Sequence, residues 1–98
     1  MNSPGVVSVL QDPDATLDYT FDWSHWLKTG DTISASTWAS SNVNMVLASD
    51  SFTTTTTTIW IHFGALAEEG DQYEAVNTIT TAGGRTDDRT IFVKVETQ

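Results

Sequence analysis

The acidic residues near the start of the chain are the first candidates for chemistry. Asp12 and Asp14 flank a proline, and Asp18 follows closely. Clustered carboxylate oxygens are ligands that calcium prefers, but this spacing lacks the central glycine and terminal glutamate of a twelve-residue calcium loop. The histidines, His25 and His62, have no second ligand at a recognisable spacing. We therefore interpret the acidic segment as a solvated turn and predict neither a metal site nor a cofactor.

Motifs that mark common catalytic sites are missing. The sequence contains no nucleophile elbow, no phosphate-binding glycine loop and no H-E-x-x-H pair. Two carboxylates could pair as in a glycosidase, but a chain of 98 residues rarely builds the deep cleft that such a pair needs. We predict that the protein is not an enzyme.

The densest charged cluster is the G-R-T-D-D-R segment at residues 84–89, which holds two of the four Lys and Arg residues. In one interpretation it is a hairpin loop in which Arg85 and Arg89 pair locally with Asp87 and Asp88. The guanidinium groups would then also clamp backbone carbonyls. In the other interpretation the segment is a docking contact on a partner protein. The residue types alone do not decide between these two interpretations.

Large aromatic side chains form the second set of candidate contact residues. A domain of this size seldom buries four tryptophans, which are Trp23, Trp26, Trp38 and Trp60. Exposed aromatic residues are enriched at the energetic centres of protein interfaces. Trp38 or Trp60 on an outward strand face is therefore an interface candidate, and ordinary partial burial is the alternative for each.

The charge balance narrows the class of partner. Thirteen acidic residues face four basic ones, giving a formal charge of −9, and such a field repels phosphate backbones and anionic lipid surfaces. We expect neither nucleic acid nor a membrane as partner. The absence of cysteine excludes disulfides and thiolate metal sites. The first residues lack the basic and apolar stretches of a standard secretion signal.

The elements that must position these residues are strands. Thr, Ser, Val, Ile and aromatic residues dominate the composition, which favours pleated surfaces over helices. The clearest alternation places Leu17, Tyr19, Phe21 and Trp23 on one face. One helical turn over residues 24–28, capped by Asp22 or Ser24, is expected to follow it.

Further strands are predicted along the rest of the chain. The threonine run at residues 53–58 is interpreted mostly as a turn and then a strand, which continues with Ile59 and Ile61 inward and Trp60 outward. From residue 72, alternation places one set of side chains inward, or Val76 and its neighbours if a bulge shifts the register. That inward set is Tyr73, Ala75, Asn77 and Ile79.

These windows together predict an all-β fold, an immunoglobulin-like β-sandwich of about seven strands with one short helical turn. The Gly-Asp-x-Tyr sequence ending at Tyr73 fits a tyrosine corner, in which the hydroxyl bonds an upstream backbone group. Residues 1–11 are expected to form an N-terminal arm or edge strand. Residues 12–98 are expected to form the sandwich domain.

An ordered set of motifs resembles a known family. The set comprises D-P-D at residues 12–14, F-D-W-x-x-W-L at residues 21–27 and G-R-T-D-D-R at residues 84–89. Together they resemble the small tailed-bacteriophage virion proteins known as fiber-tail adaptors, which are immunoglobulin-like. The resemblance extends from Asp12 to Val95 and is loose from Trp38 to Glu69.

The resemblance implies a virion protein that bridges tail and fiber. It implies partners among other phage virion proteins of the tail, fiber or capsid, with several copies on a symmetric particle. The motif residues that it marks as fold-defining or contact residues are Phe21, Asp22, Trp23, Arg85, Asp87, Asp88 and Arg89. Two alternatives stay open: a capsid decoration (cement) protein, and a carbohydrate-binding module that stacks sugars on Trp38 and Trp60.

Overall fold

The computed structural model describes residues 6–42, 44–64 and 67–96. Within these ranges the regular elements are seven β-strands and no helix. Their bounds are β1 Val6–Gln11, β2 Leu17–Asp22, β3 Ile33–Ser40, β4 Met45–Phe52, β5 Thr56–Phe63, β6 Gln72–Thr81 and β7 Thr86–Val95. The described ranges offer no helix with the length and apolarity to cross a bilayer.

The strands form two sheets that face each other. The four-stranded sheet has the order β1-β7-β6-β3, and the three-stranded sheet has the order β2-β5-β4. All neighbours are antiparallel except β1 and β7, which are parallel. Consecutive strands β3 and β4 belong to opposite sheets, as in an immunoglobulin-like sandwich. The predicted all-β sandwich of about seven strands is confirmed.

The core lies between the sheets and follows the two-residue period of the strands. Ile59 and Ile61 of β5 are buried, and Trp60 between them is exposed. In β6 the pairing with β7 has no bulge, so the first of the two predicted registers is observed. Its inward residues are Tyr73, Ala75, Asn77 and Ile79, all buried. Leu17, predicted on the same face as Phe21 and Trp23, starts an edge strand and stays 41% exposed.

The threonine run forms a turn and then a strand, as predicted. β4 ends at Phe52 and β5 begins at Thr56. The Thr53 hydroxyl accepts hydrogen bonds from the backbone N–H groups of Thr55 (3.2 Å) and Thr56 (3.0 Å). A threonine side chain therefore closes this turn in place of the glycine or asparagine that turns commonly use.

The Tyr73 hydroxyl makes a different bond from that of the expected tyrosine corner. It donates to the carboxylate of Asp71 at 2.9 Å, whereas the sequence pattern predicts a backbone acceptor. Burial, together with this carboxylate, raises the pKa of Tyr73 above its ordinary value of 10.0. The tyrosine still anchors the start of β6, but through a side chain.

A buried glutamine connects the end of β1 to the opposite sheet. Gln11 is fully buried, and its Nε2 donates to the carbonyl of Ile61 at 2.9 Å. Its Oε1 accepts a hydrogen bond of 2.7 Å from the Tyr19 hydroxyl. Because an unsatisfied buried amide is costly, this pair of bonds fixes the position of β1 against β2 and β5.

A second buried amide connects the sheets near their centre. Asn77 accepts from the Thr57 hydroxyl at 2.6 Å, and the Thr57 oxygen in turn accepts from the indole Nε1 of Trp23 at 3.1 Å. The Asn77 Nδ2 donates to the Ser36 hydroxyl and to the Thr37 carbonyl, both at 2.9 Å. The network thus joins β3 and β6 of one sheet to β5 and the residue after β2 of the other.

Candidate functional site

The segment after β2 is a tight turn that holds two tryptophan rings together. The Asp22 carboxylate accepts a hydrogen bond from the backbone N–H of Ser24 at 2.9 Å. This bond is the main reason why the pKa of Asp22 is lowered. The N–H groups of Trp26 and Leu27 donate to the carbonyl of Trp23 at 2.9 and 3.0 Å. The expected helical turn is thus a single hydrogen-bonded turn, and the Trp23 and Trp26 rings meet edge to face at 5.5 Å between centroids.

Two arginines, one in β7 and one in the β6–β7 turn, cover these rings. Arg89 of β7 places its guanidinium 4.0 Å from the centre of the Trp23 ring and donates to the Asp22 carbonyl at 3.0 Å. Arg85 lies 4.1 Å from the centre of the Trp26 ring, with its Nη1 3.4 Å from the Trp26 carbonyl oxygen. We call these two arginines with Trp23 and Trp26 the arginine clamp.

The arginine clamp brings the two most distinctive sequence motifs into contact. The segments 21–27 and 84–89 are distant in sequence. Each guanidinium of the second segment nevertheless contacts a tryptophan ring of the first and donates to one of its backbone carbonyls. Arg89 is only 8% exposed, and burial lowers its pKa against the opposing effect of Asp87 and Asp22. Arginine remains charged at such a site because its ordinary pKa lies far above neutral pH.

The aspartates of the second motif lie beside the clamp and outside it. The Asp87 carboxylate accepts the backbone N–H of Asp88 at 2.8 Å. Asp87 is half-buried and Asp88 is exposed. One guanidinium hydrogen bond from each arginine goes to a carbonyl of the tryptophan turn, so the segment contacts the opposite sheet as well as its own residues.

The hairpin between β6 and β7 is fastened to the same end of the molecule. Asp31 accepts the N–H of Gly83 and of Thr32, each at 2.9 Å. A hydrogen bond from the Thr81 hydroxyl, with these N–H bonds, lowers the pKa of Asp31. A side chain at Gly83 would begin 3.1 Å from the Asp31 carboxylate, and Gly84 adopts a φ of +90°. Gly84 therefore suits this turn because of its positive φ, whereas a side chain at Gly83 would require the Asp31 carboxylate to shift by a few tenths of an ångström.

Trp38 points toward the core. The hypothesis that it lies on an outward face as a contact residue is therefore wrong. Its ring stacks on Phe21 with centroids 5.7 Å apart and planes 5° apart, and it packs against the core. Its buried Nε1 has no hydrogen-bond partner in the described chain. Trp38 and Trp60 belong to opposite sheets, one ring inward and one outward, so they cannot form one sugar-stacking platform.

Trp60 is the exposed tryptophan of the molecule's described part. It lies in the central strand of the three-stranded sheet, on the outer face, and is 42% exposed. Asp18 of β2 pairs with it on one side, and Ser49 of β4 pairs with it on the other. We call this surface of Trp60, Asp18, Ser49 and their outward neighbours Thr58 and His62 the Trp60 face.

The outer face of the four-stranded sheet carries a shallow apolar groove. Leu10 is 54% exposed there, beside the half-buried ring of Phe92. The groove has a volume of about 260 Å³ and is also lined by Lys94 and Gln72. No sequence pattern marks this groove, because most of its residues are ordinary outward positions of β1, β6 and β7.

The candidate cation ligands are not gathered in space. Within residues 6–42, 44–64 and 67–96, no three His, Asp or Glu side chains are grouped to hold a metal ion. Asp12 instead accepts the backbone N–H of Asp14 at 2.8 Å, which closes the acidic turn. His25 is exposed in the tryptophan turn, and His62 is half-buried on the Trp60 face.

Comparison with known proteins identifies the chain's family. The curated proteins contain no match to it. A family model described as "Podophage GP4 fiber-tail adaptor protein gp77" matches residues 11–94, a range that includes β2 to β6 and both halves of the arginine clamp. The chain therefore belongs to the podophage GP4 fiber-tail adaptor protein gp77 family and is a bacteriophage structural protein.

Proposed function

We propose that the protein is a multicopy virion adaptor that joins tail and fiber by protein–protein contacts. The observation that carries the proposal is the family match over residues 11–94. The proposed role agrees with two features of the sandwich. The arginines of the charged motif contact tryptophans of the same chain, and several large apolar side chains remain exposed. Those side chains are Leu10, Leu17, Phe52 and Trp60.

The proposed mechanism is multivalent binding. Tail components are arranged symmetrically, so each copy would present the same sheet face to an equivalent neighbour. Individually weak contacts then become collectively strong, because each bound copy raises the effective concentration of the next contact. The formal charge of −9 per chain makes copies repel one another, which favours contacts to a less acidic partner over contacts between copies.

The exposed surface suits a binding role better than a catalytic one. The largest apolar residues that remain accessible lie on sheet faces and strand ends. The carboxyl groups with lowered pKa, Asp22 and Asp31, accept backbone hydrogen bonds in turns. Their charges therefore stabilise turns, and they support the scaffold of an adaptor.

The experiment is a comparison of phage particles made with and without the protein. We expect mass spectrometry to find the wild-type chain in purified particles. Cryo-electron microscopy should place several copies between tail and fiber, and particles that lack the chain should lose their fibers. Density for the chain on the capsid lattice instead would assign it to decoration, and its absence from particles would refute a virion role.

A further inference from the structure

The arginine clamp shows how this chain uses a tryptophan to hold a guanidinium. At both Trp23 and Trp26 the cation lies about 4 Å from the ring centre. An oxygen acceptor next to the ring receives one of the guanidinium N–H groups. Ring and acceptor together match the planar cation, which stacks on one and donates to the other.

The Trp60 face contains the same two components without a cation. Trp60 is 42% exposed, and Asp18 is its direct cross-strand neighbour. Side chains paired in this way are about 4.5–5.5 Å apart at Cβ, so a carboxylate stands beside the ring. In the described chain, no hydrogen bond or ion pair engages the Asp18 carboxylate, and no Lys or Arg stacks on Trp60.

The charges of the surrounding sheet favour a basic occupant. Strands β2, β4 and β5 contain no Lys or Arg, and Asp18 is the carboxylate that pairs with Trp60 on their outer face. In the other sheet the strands contain Arg89 and Lys94 together with Glu74, Asp87 and Asp88, so acidic and basic side chains are mixed there. A positively charged partner surface therefore complements the outer face of the three-stranded sheet. The Trp60 ring favours a cation that can stack on it.

We propose that the Trp60 face binds an arginine side chain on the surface of the partner protein, with the guanidinium over Trp60 and hydrogen-bonded to Asp18. This assignment rests on the proposed adaptor function and specifies the chemistry of its contact. The Ser49 hydroxyl on the other side of the ring and the Thr58 and His62 side chains along β5 border the contact. A lysine would satisfy the charge but would lack the planar donor fork.

The direct test is a titration of the ¹⁵N-labelled protein with an arginine-rich peptide, followed by nuclear magnetic resonance. We expect the Trp60 indole N–H and the backbone amides of Asp18 and Ser49 to shift, while the Trp23 and Trp26 indoles stay unchanged. A lysine peptide of equal charge should bind more weakly. Shifts spread evenly over all acidic residues would overturn the proposal.

Variants sharpen this test. Trp60→Ala and Asp18→Asn should each weaken binding of the arginine peptide by about three- to tenfold, and Trp60→Phe should retain part of the affinity. The matched control is Glu74→Gln, which removes one exposed carboxylate from the opposite sheet. Equal weakening by Asp18→Asn and Glu74→Gln would show general charge attraction and overturn the assigned contact.

Two further outcomes separate this inference from the adaptor function. If the wild-type chain and Trp60→Ala enter particles equally well, the arginine contact is refuted and the adaptor function stands. If the wild-type chain is absent from particles, the adaptor function itself is refuted. Shifts of Trp60 with an oligosaccharide, and none with the arginine peptide, would refute the arginine contact and assign the face to a sugar.

Discussion

Trp23 and Trp60 both belong to the half of the sandwich built on the three-stranded sheet, but their surroundings are opposite. Trp23 is fully buried, its indole N–H bonds Thr57, and Arg89 covers its ring at 4.0 Å. Trp60 is 42% exposed, with the Asp18 carboxylate paired beside it. Trp23, which is covered by a guanidinium of the same chain, is part of the scaffold. Trp60, on which no guanidinium of the described residues stacks, is available to another molecule.

This difference separates a tryptophan inside a family motif, Trp23, from a tryptophan outside the motifs, Trp60. The arginine clamp connects β7 and the β6–β7 turn to the tryptophan turn, so its loss should unfold the protein before it weakens any contact. The Trp60 face contributes little to the core and should behave in the reverse way. The following predictions test that division, from the largest expected effect on stability to the smallest.

Among the polar and charged side chains, Arg89 should have the largest effect on stability when it is replaced. Arg89→Ala removes a charged hydrogen bond to the Asp22 carbonyl and uncovers Trp23, so we expect a loss of about 2–4 kcal/mol in the free energy of unfolding. Arg89→Lys should recover part of the loss, because it keeps the charge and loses the planar stacking. Urea denaturation measures both. A change below about 0.5 kcal/mol for Arg89→Ala, which is typical of surface positions, would show that the clamp is not structural.

Breaking the central amide network should come next. Asn77→Leu leaves the Ser36 hydroxyl and the Thr37 carbonyl without their amide donor, and we expect a loss of about 1–3 kcal/mol. The matched control is Thr78→Ala on the neighbouring outward position. Denaturant unfolding should find the control close to wild type. Equal losses for both variants would contradict a specific role for the network.

Arg85 should matter less than Arg89. Its hydrogen bond to the Trp26 carbonyl is long, at 3.4 Å, so the ring contact supplies most of the stabilisation and Arg85→Ala should cost about 1 kcal/mol. Thermal unfolding measures this loss. An unchanged melting curve combined with lost incorporation into particles would make Arg85 a docking residue, against the division proposed above.

Acid should weaken the hairpin fastening. The folded-state pKa of Asp31 lies below its ordinary value of 3.8, so its charge stabilises the fold fully above that pH. This contribution is lost as the pH falls through the depressed pKa. We expect Tm to fall below about pH 4 and Asp31→Asn to flatten this dependence while lowering Tm at pH 7. An equally steep fall in the variant would exclude Asp31 as a source of acid sensitivity.

Trp60→Ala should have the smallest effect on stability, within about 0.5 kcal/mol, as is usual for exposed positions. Phe21→Ala is the comparison, because Phe21 is buried between Trp23 and Trp38 and should cost about 3–5 kcal/mol. Circular dichroism melting curves separate the two cases. A large loss for Trp60→Ala would place this ring in the scaffold.

The two-residue period of the strands was sufficient to predict much of the fold. The inward positions predicted for Ile59 and Ile61 are confirmed, and of the two registers left open after residue 72 the one without a bulge is observed. From Thr32 to Trp38 small and polar residues occupy both faces, and a register shift occurs between Ile33 and Ala35. The residue pattern there does not favour either face as the buried one, so the inward position of Trp38 was not predicted.

The polar contacts between sheets were beyond sequence reasoning. Gln11 bonds the carbonyl of Ile61, fifty positions away, and the guanidinium of Arg89 bonds the carbonyl of Asp22, sixty-seven positions away. Such pairs depend on how the sheets face each other, and local periodicity holds no information on that. The motifs were visible in the sequence, but their meeting in space was not.

The measurement that tests the division most directly is the incorporation of Trp60→Ala into phage particles, compared with its melting temperature. We predict a Tm equal to that of the wild type and a clear loss of the chain from purified particles. Wild-type incorporation of Trp60→Ala would contradict the account, because the exposed tryptophan would then contribute neither to the fold nor to the contact.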